Sequence, residues 1–182
     1  MPTFNAQSTT YTYVFLHEAS YYSLQEAIAE KEGSFFKFMS SMLFSTFSME
    51  GYLNFLGENK IQGWYKKERK LGRDGRLQAL LQVLVMNPSM ARRPFKTYRE
   101  LFAFRDALVH SRVINTTLTG TLRSTVQRPP KPLSEWEKLV NQKTAQRCFD
   151  DSSRIIRMMN KKAGYTRDPF ATPWVSQWEI KP

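Results

Sequence analysis

Apolar positions along the chain fall into helical periods, separated by polar stretches that contain glycine or proline. Residues 1–19 alternate weakly through Tyr11, Tyr13 and Phe15, which predicts a short strand or an extended arm. Ser23 followed by Glu26 has capping-box spacing and predicts that the first helix opens there. From Phe35 to Leu56 the apolar residues are dense. Phe35, Met39, Met42, Met49, Leu53 and Leu56 form one stripe, with Phe36, Leu43 and Phe47 as a second stripe beside it. A helix apolar over more than half its circumference belongs at the centre of a bundle. Ser40, Ser41, Ser45, Ser48 and Gly51 would let its neighbours approach closely.

Gly57 to Gly75 is polar and basic, hence a loop or a broken helix anchored by Trp64 and Tyr65. Asp74 is placed to cap the next helix, where Leu77, Leu80, Leu81 and Leu84 recur at helical spacing and Asn87-Pro88 is the stop. After a linker over 88–96, Thr97 and Glu100 form a second capping box, with Leu101, Phe104 and Leu108 on the buried face. The threonine-rich 113–127 stretch reads as a small hairpin or a loop, closed by Pro129, Pro130 and Pro132. Ser134 with Glu137 caps a short helix. Thr144 to Lys162 makes the last long one, with Phe149, Ile155, Ile156, Met158 and Met159 apolar and Gly164 as its stop. The fold class is all-α: an up-down bundle of four to five helices over 23–164, with an arm over 1–22 and an irregular tail over 165–182.

Composition narrows the classes without changing that picture. With 182 residues and 41% hydrophobic side chains, the chain suits one domain with a real core and excludes a disordered or collagen-like polymer. No run of about 18 apolar residues exists, so no membrane span is expected. Met1 to Ser20 does not read as a signal peptide, and the single Cys148 fits a reducing, cytoplasmic setting. The net charge of +11 is uneven: residues 1–59 carry −4 and residues 60–182 carry +15. Such a field attracts polyanions, which points to RNA or a nucleotide as partner; a basic domain whose lysines merely face water is the alternative.

The chemistry centres on Leu101-Phe-Ala-Phe-Arg105-Asp106-Ala-Leu-Val-His110, at the end of the helix that Thr97 would cap. An imidazole moves protons at neutral pH, and a guanidinium forks onto a phosphate. Asp106, four residues before His110, is placed to orient the ring. Together these are the parts for phosphodiester cleavage without metal or cofactor. Five helical steps place Arg105 and His110 about 140° apart, so one ideal helix does not join them. Either the helix ends between them or a second copy of the chain completes the site. His110 also fits a plain role as a cation at a helix C-terminus.

This decapeptide resembles the signature helix of HEPN domains, whose motif is Arg, a polar residue, then His after four to six intervening residues. Glu50-Gly-Tyr-Leu-Asn54 resembles the Glu-x-x-x-Asn segment on the long helix of many such domains, and the helix order is similar over Ser23 to Gly164. The resemblance implies a metal-independent endoribonuclease of the toxin or defence type, acting as a homodimer. In it Arg105 would hold the scissile phosphate. His110 would activate the 2′-hydroxyl or protonate the leaving oxygen, giving a 2′,3′-cyclic phosphate. Other members bind RNA, nucleotides or partner proteins without cleavage, and a cognate antitoxin is a further candidate partner. Glu50 and Asn54 should be half-buried, supporting the motif helix or simply tying neighbouring helices together.

The basic residues expected to contact RNA are Lys66, Lys67, Arg92, Arg93 and Arg112. His17, beside Glu18, reads as a surface residue, and Cys148 as a packed thiol. Gly72-Arg-Asp-Gly75 lacks the spacing of a phosphate-binding loop. Trp64, Tyr65, Trp174 and Trp178 either stack on bases or pin their own segments to the domain.

Overall fold

The computed structural model describes residues 3–110, 113–120 and 131–181. Strand β1 (Thr3–Thr10) leads into α1 (Thr12–Ala29), α2 (Ser34–Lys60), α3 (Trp64–Val83) and α4 (Phe95–Val109). Then come the short α5 (Glu135–Leu139), α6 (Gln142–Lys162) and strand β2 (Trp174–Lys181). Helix α2 is the hub: α1, α3, α4 and α6 all pack on it. Met42, Met49, Leu53 and Leu56 of its first stripe are buried, Phe35 and Met39 line the core's edge, and Phe36 is left exposed. The expected all-helical bundle is present among the described residues, with a small two-stranded sheet added to it.

The serines of α2 do what small polar residues allow. Ser20 of α1 donates to the Ser41 carbonyl at 2.8 Å and shares a 2.7 Å hydrogen bond with the Ser45 hydroxyl. Ser48 donates to the Tyr13 carbonyl at 2.7 Å. A Cβ on Gly51 would stand 3.1 Å from that of Tyr13, so the two helices touch backbone to side chain. Every hydroxyl in this seam has a partner, which is the condition for burying it.

Several boundaries differ from those the sequence pattern predicts. The arm is helical from Thr12, because Tyr13, Val14, Ser20, Leu24 and Ala27 recur on one face and bury against α2. Ser23 and Glu26 lie inside that helix, and packing, not the cap pattern, sets its start. The tail is not irregular throughout: β2 pairs antiparallel with β1 in a register running from Thr3–Lys181 to Thr10–Trp174. The basic 57–75 stretch is a broken helix. Helix α2 runs on to Lys60, and α3 opens at Trp64 after Gly63 in the left-handed region, then breaks at Gly72 with φ of 61°. Asp74 pairs with Arg73 and is not a cap, and α3 ends at Val83, before Asn87-Pro88.

Helix α4 opens at Phe95, and Thr97 donates its hydroxyl to Asp151, so the predicted capping box at Thr97–Glu100 is absent. The box at Ser134–Glu137 is fully formed. Asn141 caps α6, and Gly164, with φ of 85°, follows its end as expected. Residues 113–120 form no strand; residues 121–127, the rest of the proposed hairpin, lie outside the described part. Among the described residues no helix is long and apolar enough to cross a membrane.

Candidate functional site at the end of helix α4

Helix α4 is held at its start and open at its end. At the start, Asp151 of α6 is 3% exposed and accepts from Arg93 at 2.7 and 3.0 Å and from the Thr97 hydroxyl at 2.5 Å. Burial alone would raise this carboxyl, but the hydrogen bonds from Arg93 and Thr97 outweigh it and hold it below its ordinary value. Arg93, expected on RNA, is therefore a structural clamp. Its side chain stays half exposed, but its Nε and Nη2 already serve Asp151.

One and a half turns before the other end, Arg105 faces α2 and α3. Its Nη2 is 3.7 Å from Glu50 and its Nε 3.3 Å from Asp106. Glu50 also receives Arg76 at 3.2 Å, and Asp106 receives Arg73 at 3.0 Å. Arg73 lies one residue past the Gly72 break, and its second carboxylate partner, Asp74 at 2.9 Å, holds its guanidinium even more firmly protonated. Three arginines and three carboxylates thus alternate between α2, α3 and α4. Sequence reasoning found Glu50, Arg105 and Asp106 and missed Arg73, Asp74 and Arg76. The Gly72 break supplies them, and its only trace in the sequence was the Gly72-Arg-Asp-Gly75 cluster.

Glu50 is half-buried and ties α2 to α3 and α4, as expected of a helix tie. Asn54 is half-buried too, but its buried Oδ1 has no hydrogen-bond donor among the described residues, so it ties nothing through that atom.

His110 departs from expectation in its partner. It is the C-terminal cap residue of α4, exposed, with its backbone N–H still donating to the Asp106 carbonyl at 3.0 Å. Its ring makes no side-chain hydrogen bond among the described residues, because the Asp106 carboxylate is turned to Arg73 and Arg105. The position suits a cation facing the negative end of the helix dipole. Arg105 and His110 stay on different faces of α4, as the helical repeat requires.

Lys66 and Lys67 in the first turn of α3, and Arg92 before α4, are exposed and without side-chain partners among the described residues. Arg112 lies outside the described residues. His17 is not a surface residue. Its ring stacks on Phe170 with centroids 3.6 Å apart and lies 4.9 Å from Phe149. It also bonds Ser153 Oγ at 2.8 Å. Burial, reinforced by the Arg157 charge, pushes its pKa down to about 4. The sequence could not show this, because its partners lie on α6 and in the tail.

Cys148 is buried and its thiol is pushed up to about 12 by burial, which makes it inert. Trp64 packs on Gly57, and Trp174 stacks on Phe15 at 6.0 Å, pinning their own segments. Comparison with protein-family models, curated proteins and solved structures finds no match to this chain.

Proposed function

We propose that the chain is a metal-independent endoribonuclease of HEPN type that works as a homodimer. The observation that carries this reading is the state of His110: an exposed imidazole at a helix end, with no side-chain partner among the described residues, five residues from the Arg105 guanidinium. A free ring keeps both nitrogens for proton transfer. Arg105 on another face of the same helix cannot meet it within one copy. A two-fold related copy supplies the missing guanidinium. The excess of positive charge in residues 60–182, with Lys66, Lys67 and Arg92 exposed and without side-chain partners among the described residues, supports an RNA backbone as the ligand.

The test incubates RNA with the protein in EDTA, beside Arg105→Ala, His110→Ala and an equimolar mixture of the two. Cleavage by the wild type, none by either variant and partial recovery in the mixture is the expected pattern. Equal cleavage by all samples, or none by the wild type over varied pH and RNA structure, overturns the proposal.

One observation favours a second reading, RNA binding without cleavage. Arg105 already faces two carboxylates, so a phosphate must displace Glu50 or Asp106 to reach it. That reading expects salt-dependent RNA affinity that His110→Ala leaves intact, and no products under any condition.

A further inference from the structure

A cavity of about 420 Å³ opens between α4, α5 and α6, within the size range of small-molecule sites. Its walls are mainly apolar: Met42 and Phe104 at the base, Trp136 and Leu139 of α5 on one side, Ala103 and Ala107 of α4 on the other. The short side chains of Ala103 and Ala107, both exposed, leave room at its mouth. Trp136 is half-buried, so part of its ring is open to a ligand.

One polar group in this wall is incompletely used. Glu100 Oε2 is shielded from water and has no hydrogen-bond donor among the described residues. Arg147 Nη2 stands 2.9 Å away as an ion-pair partner without hydrogen-bond alignment, and Lys96 Nζ is 3.7 Å from the other carboxylate oxygen. A buried acceptor without a donor is costly, and a ligand that brings an N–H relieves the cost. The third feature is position. Ala103, Ala107 and His110 follow one another at i, i+4 and i+7, one stripe of α4. The His110 N–H still bonds Asp106, so its Cα continues the helical path and the stripe leads from the cavity to the imidazole.

We propose that this cavity holds a nucleobase, packed against Trp136 and donating an amino or ring N–H to Glu100. A flat aromatic heterocycle with N–H donors on its edge matches an aromatic wall and a carboxylate oxygen without an aligned donor together. The inference rests on the RNA reading above and deepens it: the base next to the cleaved linkage would be selected here, and His110 would meet its ribose. Arg105, on the other face, plays no part in this pocket.

The test titrates the four ribonucleoside 5′-monophosphates into the full-length protein and follows binding by calorimetry and ligand-observed NMR. At least one binds, those with exocyclic amines better than uridine monophosphate. Ala107→Leu, which fills the cavity from an exposed helical position, and Trp136→Ala each weaken binding roughly tenfold or more, the scale of one stacked base. Binding that both variants leave unchanged, or no binding of any of the four, overturns the inference. RNA cleavage that persists in Ala107→Leu at the wild-type rate and base preference overturns it while leaving the ribonuclease reading intact. Nucleotide binding lost in the two variants, in a protein that never cuts RNA, does the reverse.

Discussion

Two arginine–carboxylate assemblies sit on opposite ends of helix α4, built from the same chemistry in different surroundings. At the start of the helix, Asp151 is nearly sealed and receives three hydrogen bonds from Arg93 and Thr97. In the second half, Glu50 and Asp106 are 27% and 41% exposed and share Arg73, Arg76 and Arg105 at distances up to 3.7 Å. A sealed carboxylate that loses its donors leaves a desolvated group without compensation, so its partners are fixed. A half-exposed pair can exchange a protein partner for water or for a ligand at little cost. The first assembly belongs to the architecture of the bundle. The second is the one able to rearrange around an incoming phosphate.

The largest expected effect tests the sealed end. Asp151→Ala leaves the buried Thr97 hydroxyl without its acceptor and unties α4 from α6, and should cost about 2–3 kcal/mol in denaturant unfolding. A loss below about 0.5 kcal/mol would remove the distinction between the two assemblies. Acid sharpens the same point. Asp151 titrates below its unfolded value, so its contribution is complete above the ordinary carboxylate range and disappears as pH falls through its lowered folded value.

The half-buried His17 acts at a higher pH. Its ring is neutral in the fold down to about 4, while in the unfolded chain it gains a proton near 6.5. Stability therefore falls between those two values and levels off below about 4, where both states are protonated. His17→Ala removes that slope and, through the lost Phe170 stack and Ser153 hydrogen bond, costs about 1–2 kcal/mol at neutral pH. Chemical denaturation of both proteins at pH 7 and pH 4.5 checks the sign: the gap between them should narrow in acid.

At the open end the effects on stability should be small. Glu50→Gln removes one of the two carboxylates beside Arg105 and, among the described residues, the one beside Arg76, and should cost about 0.5–1 kcal/mol. A larger loss would mean that this network is structural after all. His110→Ala is the smallest, a few tenths of a kcal/mol, because its exposed ring makes no side-chain hydrogen bond among the described residues. The ribonuclease reading expects that nearly silent change in folding to abolish RNA cleavage. A His110→Ala protein that unfolds early would instead assign the ring to the fold.

The legible parts of this protein are those where a local pattern and its partner lie within a turn or two. The density of apolar residues over Phe35 to Leu56 placed α2 at the hub. Leu77, Leu80, Leu81 and Leu84, all buried, mark the core face of α3. Ser134 with Glu137 marked a real helix start. Arg105, Asp106 and Glu50 were found as one neighbourhood, and the separation of Arg105 from His110 followed from the helical repeat alone. The failures share a cause as well. Thr97 and Glu100 had cap spacing, but Asp151, 54 residues away, accepts from Thr97. His17 looked polar and local, yet its surroundings come from 136 residues further on.

The sequence by itself determined the periods, the central helix, the place of the charge excess and which side chains share a helix face, because these depend on spacing within about four residues. Tertiary structure alone decided which arginine is a clamp and which is adjustable, which histidine is packed against other segments and which is open, and that the two strands β1 and β2 form one sheet. The physical reason is that burial and hydrogen-bond partnership arise between segments far apart in the chain, and the free energy of a polar side chain depends on them more than on its own identity.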